Sequence, residues 1–98
     1  VAQTFSFRHQ LGDRRVLVTN RQRMPPASPG YETHGYYCRN TISLKPTMRG
    51  REALNVLVHE ALHALFPWMA EDVVDLAADQ LVDLLLRPEF EFLIWECL

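Results

Sequence analysis

Basic residues all but disappear from the second half of this 98-residue sequence, where Arg87 is the only one after Arg51. Residues 52–98 hold ten acids, whereas residues 1–51 hold nine bases and two acids, Asp13 and Glu32, so the halves carry about +7 and −9. Opposite charges so divided either attract one another within the fold or leave a basic surface for an anionic partner, nucleic acid among them. No aromatic–basic interleaving or recognition-helix pattern sharpens the second reading.

Cysteine is equally scarce. Cys38 and Cys97 are too few for a disulfide framework, which points to a reducing, cytoplasmic setting, with a single bridge left open. Long apolar runs are missing too. None approaches the 18 or more residues that span a bilayer, so no membrane partner is expected. The charges from Arg8 to Arg15 interrupt any signal-peptide core. Val1 at the start reads as a chain that has lost an initiator Met or a leader, or as a fragment.

About half of the residues are hydrophobic, which suits one compact domain over residues 1–98. Phe5 and Phe7 alternate with polar neighbours and predict a first strand, and Arg15–Thr19 a second, with Leu11 to Arg14 as the turn between them. Pro25, Pro26 and Pro29 place residues 21–30 in a loop. Tyr36 to Leu44 reads as a third strand. Helical periodicity then runs from about Thr47 or Arg49 to Phe66, where Pro67 ends it. A second helix is predicted from Glu71 to Leu86, stopped by Pro88. FEFLIWECL at the end reads as a short strand or a tail folded on the core, or, if exposed, as an interface. The order predicts an α+β fold, a small antiparallel or mixed sheet packed on two helices.

The first helix carries His59, Glu60 and His63 amid Leu54, Leu57, Val58, Ala61, Ala64 and Leu65. Residues i and i+4 share a helix face, so both imidazoles can meet one point. Glu60 lies about 100° round from His59 and can reach a water without being a ligand. His-Glu-x-x-His in this form is the pattern of a zinc site with its general base, against which stands a pair of histidines hydrogen-bonded to backbone or acids. A narrow polar stripe on an otherwise apolar helix needs such a reason, because burying uncompensated polar groups costs several kcal/mol, order of magnitude.

VLVHEALHALF, with uncharged residues before the first His and at both x positions, resembles the longer zincin pattern. Together with TISLKPTMRGREALNVLVHEALHAL, a strand followed by the His-Glu-x-x-His helix, the chain is similar to small single-domain zincin-like metalloproteins of the SprT and ImmA/IrrE kind, including phage-encoded ones. The resemblance covers residues 36–87. It implies a Zn2+ metallopeptidase, acting on a protein or peptide substrate in the cytoplasm, the host's if phage-encoded. Two other readings stand beside it. One is a metal-stabilised phage assembly or regulatory module without catalysis. The other is a protease acting on nucleic-acid-bound proteins.

A catalytic zinc usually has three protein ligands and an open position. No His follows His63, which excludes the metzincin pattern. The third ligand is then an acid, a cysteine or an upstream histidine. With Asp72 at 0°, the apolar stripe of the second helix (Val74, Ala77, Ala78, Leu81, Leu84, Leu85) centres at about 190°. Asp72, Asp75, Asp79 and Asp83 then face outward, while Glu71, at about 260°, flanks the packed face. Glu71 is the expected third ligand, followed by Asp72 and Asp75, and the gluzincin-like resemblance also implies a glutamate on the following helix. His34 and Cys38 could supply a ligand, Tyr36 or Tyr37 an oxyanion donor, and Glu52 a partner to a ligand imidazole. The resemblance also implies a substrate lying extended against an exposed edge of the strand ending at Leu44.

Overall fold

A two-residue loop with Gly12 at a positive φ of 61° joins strands β1 (Ser6–Leu11) and β2 (Arg14–Thr19). That is the kind of position at which a tight hairpin takes glycine. The computed structural model describes residues 4–21, 35–38 and 40–90. The pairing is antiparallel and runs from Ser6↔Thr19 to Leu11↔Arg14, so Leu11 and Arg14 belong to the strands rather than to the turn. Phe5 closes the open end, its N–H donating to Asn20 Oδ1 at 2.8 Å.

The segment Tyr36 to Leu44, expected as one strand, is two. Strands β3 (Gly35–Cys38) and β4 (Thr41–Leu44) form an antiparallel hairpin. Asn40 takes a positive φ of 59° at the bend, a conformation that asparagine tolerates and most residues do not. The strand-favouring residues on both sides of Asn40 conceal this turn in the sequence. β4 also pairs in parallel with β2, which gives the sheet order β1-β2-β4-β3. β4 is therefore interior, and the strand ending at Leu44 has no exposed edge. The edges of the described sheet are β1 and β3.

Helix α1 (Gly50–Leu65) crosses the sheet, and α2 (Glu71–Leu85) packs against α1. One side of α1, with Val56, Leu57 and Ala61, meets a sheet core of Val16, Val18, Ile42 and Leu44. Another side, with Val58 and Leu62, meets Val74 and Ala78 of α2, with Met69 packed beside them. A helix held between two layers must be apolar over most of its circumference. This is why the polar residues of α1 are confined to a stripe. Phe66 N–H closes the helix on Leu62 O at 2.8 Å, and Pro67 prevents another turn. A single turn, α3 (Pro88–Phe90), follows α2. It was not expected from the sequence, and the remainder of FEFLIWECL, from Glu91 on, lies outside the described residues.

The buried residues of α2 are Val74, Ala78 and Val82, spaced by four. Their direction is about 240° on the scale above, not 190°. The difference arises because Leu81 and Leu84 of the expected stripe remain exposed. A rotation of about 50° carries Asp75, Asp79 and Asp83 from their expected outward face to the flank of α1. There Asp79 accepts from Asn55 Nδ2 at 3.3 Å, and Arg51 reaches Asp79 at 3.5 Å and also Asp83. The basic and acidic halves thus attract each other at this point of the fold. Among the described residues, no helix is long and apolar enough to cross a membrane.

Candidate metal centre

His59 and His63 are one turn apart on α1, and their Nε2 atoms lie 3.1 Å apart. Glu71 is the first residue of α2, where the positive end of the helix dipole favours a carboxylate. The linker of residues 66–70 brings it across. Its Oε1 lies 2.9 Å from His59 Nε2 and its Oε2 lies 2.8 Å from His63 Nε2. At the other nitrogen of the His59 ring, Asp75 Oδ1 lies 3.1 Å from Nδ1, and His59, Glu71 and Asp75 together form a second group that could hold an ion.

These contacts assign hydrogens. Asp75 can only accept from Nδ1–H, so neutral His59 carries a lone pair at Nε2. That lone pair faces a carboxylate oxygen and a second imidazole nitrogen. Three Lewis bases converging on one point are relieved by a cation between them, either a proton or a metal ion. Ligand atoms about 2.0–2.2 Å from a tetrahedral zinc are about 3.3–3.6 Å apart. The separations here of 2.8, 2.9 and 3.1 Å are tighter than that and involve four atoms, because the two imidazoles meet different oxygens of Glu71, so the donors would move apart slightly to take an ion. Two imidazoles and a carboxylate, with no thiolate, fit zinc, and equally the two-histidine–carboxylate set of ferrous enzymes.

Glu60 lies beside these donors. It is buried at 7 % exposure, and its Oε1 is 3.9 Å from His59 Nε2. Burial raises its carboxyl above the ordinary value, His59 and His63 pull it down, and Glu71 adds a further push upward. Glu60 thus lies beside the two imidazoles, near enough that His59, Glu60 and His63 also form a group that could hold an ion.

Of the residues singled out in the sequence, the fold brings together His59, Glu60, His63, Glu71 and Asp75. Asp72 turns aside, its Oδ1 accepting from Val73 N–H at 3.0 Å. Glu52 lies exposed in the first turn of α1, and Asp75 is the acid on the far nitrogen of His59. His34 lies outside the described residues. Tyr36, Tyr37 and Cys38 are described only as strand backbone. The Asp75 contact was missed as a supporting one, although the i, i+4 spacing of Glu71 and Asp75 carries its signal. Compared with family models, curated proteins and solved structures, the chain matches none.

Proposed function

We propose that this domain is a zinc-dependent metallopeptidase that hydrolyses peptide bonds, with His59, His63 and Glu71 holding the metal and Glu60 acting as general base. The observation that supports this reading is the convergence of two imidazoles and the Glu71 carboxylate on one point, beside the buried Glu60 carboxylate. The same three donors can hold a ferrous ion, but a buried carboxylate beside them suits hydrolysis, in which a base takes the proton of the attacking water.

Zinc, when bound, supplies Lewis acidity that lowers the pKa of a water and polarises the scissile carbonyl. The chain's own groups do the rest. Glu60 accepts a proton from the attacking water as its oxygen bonds to the carbonyl carbon. The C–N bond then breaks, and Glu60 returns that proton to the leaving amine. The raised carboxyl of Glu60 suits both transfers, because its basicity moves toward the working pH. Asp75 fixes the His59 ring and its tautomer, so that Nε2 stays unprotonated. β3, which lies against α1 at the edge of the described sheet, offers backbone for pairing with an extended peptide.

The test is hydrolysis of an unfolded protein such as reduced casein by the zinc-loaded chain and by Glu60→Gln. The expected result is cleavage by the wild-type chain, abolished by chelator, and lowered at least about 100-fold in the variant, which still holds zinc. Equal cleavage by both contradicts the assignment of Glu60. Bound zinc with no cleavage by either leaves a metal-stabilised module instead.

A further inference from the structure

We infer that Arg51 and Asn55 are positioning residues for the metal centre: acting through Asp79 and Asp83, they set the rotation of α2 on α1 and so bring Glu71 and Asp75 onto the imidazoles. The inference rests on the reading of His59, His63 and Glu71 as metal ligands. On α1, Arg51, Asn55, His59 and His63 follow one another at intervals of four, and on α2 so do Glu71, Asp75, Asp79 and Asp83. Each set therefore forms a row along its helix. The two rows meet antiparallel. Glu71 lies 2.8 Å from His63 and 2.9 Å from His59, and Asp75 lies 3.1 Å from His59. Further along, Asn55 donates to Asp79 at 3.3 Å, and Arg51 reaches Asp79 at 3.5 Å and also Asp83.

Apolar burial alone would turn α2 differently. Its apolar stripe centres at about 190°, but the direction it buries is about 240°. In the observed rotation Leu81 stays exposed at 42 % and Leu84 at 52 %. Rolling α2 by about 50° would bring both leucines toward α1 and carry the row of acids off its flank. The hydrophobic effect favours that roll, so something on the acidic flank opposes it. The polar row is what the observed rotation gains.

Half of that row is the metal centre itself. The other half holds the same rotation without a metal. Arg51 is the residue of the α1 row that is charged at every working pH, and Asp79 is the acid that both Arg51 and Asn55 reach. Half-exposed ion pairs add little stability. A polar contact available in one rotation still selects that rotation, and a site already in its binding arrangement takes its ligand more tightly.

Zinc affinity, measured by chelator competition in about 0.15 M salt, separates this role from an effect of charge. Arg51→Gln removes a positive charge and Asn55→Asp adds a negative one. By charge alone, both would bind the cation more tightly. By position, both bind it less tightly, because Arg51→Gln loses its ion pairs and Asn55→Asp sets a carboxylate against Asp79. Each is expected to weaken zinc binding about fivefold, the most that an exposed contact of this kind supplies. The double variant Asn55→Asp/Asp79→Asn keeps the wild-type net charge and restores the hydrogen bond with donor and acceptor exchanged. It is expected to recover wild-type affinity. Helical circular dichroism of the metal-free variants is expected to match wild type. Unchanged or tighter binding in either single variant, with normal uptake by wild type, overturns the positioning role and leaves the metal centre standing. A loss that the double variant does not recover also overturns it. A wild-type chain that takes up no zinc overturns the metal reading, and this inference with it.

Discussion

Asp75 Oδ1 lies 3.1 Å from Nδ1 of His59, the ring nitrogen other than the one that Glu71 meets. The contact makes one imidazole nitrogen a donor and frees the other as a lone pair, so a residue that need not touch a metal controls how one would be held. Replacing Asp75 by Asn keeps the size of the side chain but allows its amide to present N–H to the ring. Zinc affinity is expected to fall about 10–100-fold, with the fold intact, in competition with a chromophoric chelator. Unchanged affinity would remove Asp75 from this role.

Glu60 gives a pH-dependent expectation for the metal-free chain. Its carboxyl is raised, first of all by burial, so the fold favours the protonated form. That contribution is complete below the unfolded carboxyl value of about 4.3 and is lost as pH rises through the higher folded value. Glu60→Gln does not titrate there. The metal-free variant is therefore expected to gain stability over wild type as pH rises from about 4 toward 7, in urea melts of both proteins at each pH. A difference that stays constant or shrinks across that range would contradict the cause assigned to the shift.

Ile42 has no exposed surface and sits on the interior strand β4, between the sheet and α1. Ile42→Ala is expected to cost about 2–5 kcal/mol of unfolding free energy, measured in denaturant. Arg51→Ala should cost about 1 kcal/mol or less, because Arg51 and its partners Asp79 and Asp83 are all about half exposed. Reversal of that order would mean that the ion pairs between α1 and α2, not the core beneath α1, hold the layers together.

The fold class was legible because its signals are local. Alternation at Phe5 and Phe7, the prolines at 67 and 88, and the 3.6-residue spacing of both helices each act over a few residues. His59, Glu60 and His63 could be read together because one helix carries all three. Glu71 could be singled out from its angle and from the shortness of the linker before it. What the sequence concealed depends on partners. The Tyr36 to Leu44 segment splits because Asn40 bends, and the strand-favouring residues around it look the same in one strand or two. The direction of α2 was misjudged because apolar residues on a helix do not declare which neighbour they meet. Val74, Ala78 and Val82 are buried, while Leu81 and Leu84 of the expected stripe remain exposed. That single ambiguity hid Asp75 beside His59 and Asp79 beside Asn55.

Metal content and coordination, in wild type and Glu71→Gln, test the central claim most directly. One zinc per chain, with X-ray absorption showing two imidazoles and oxygen ligands, is expected for wild type. Occupancy should fall sharply in Glu71→Gln, because Glu71 is the acid of α2 that contacts both imidazoles. Full occupancy in the variant would contradict the role of Glu71. Failure of the wild-type chain to take up any metal on reconstitution would contradict the metallopeptidase reading altogether.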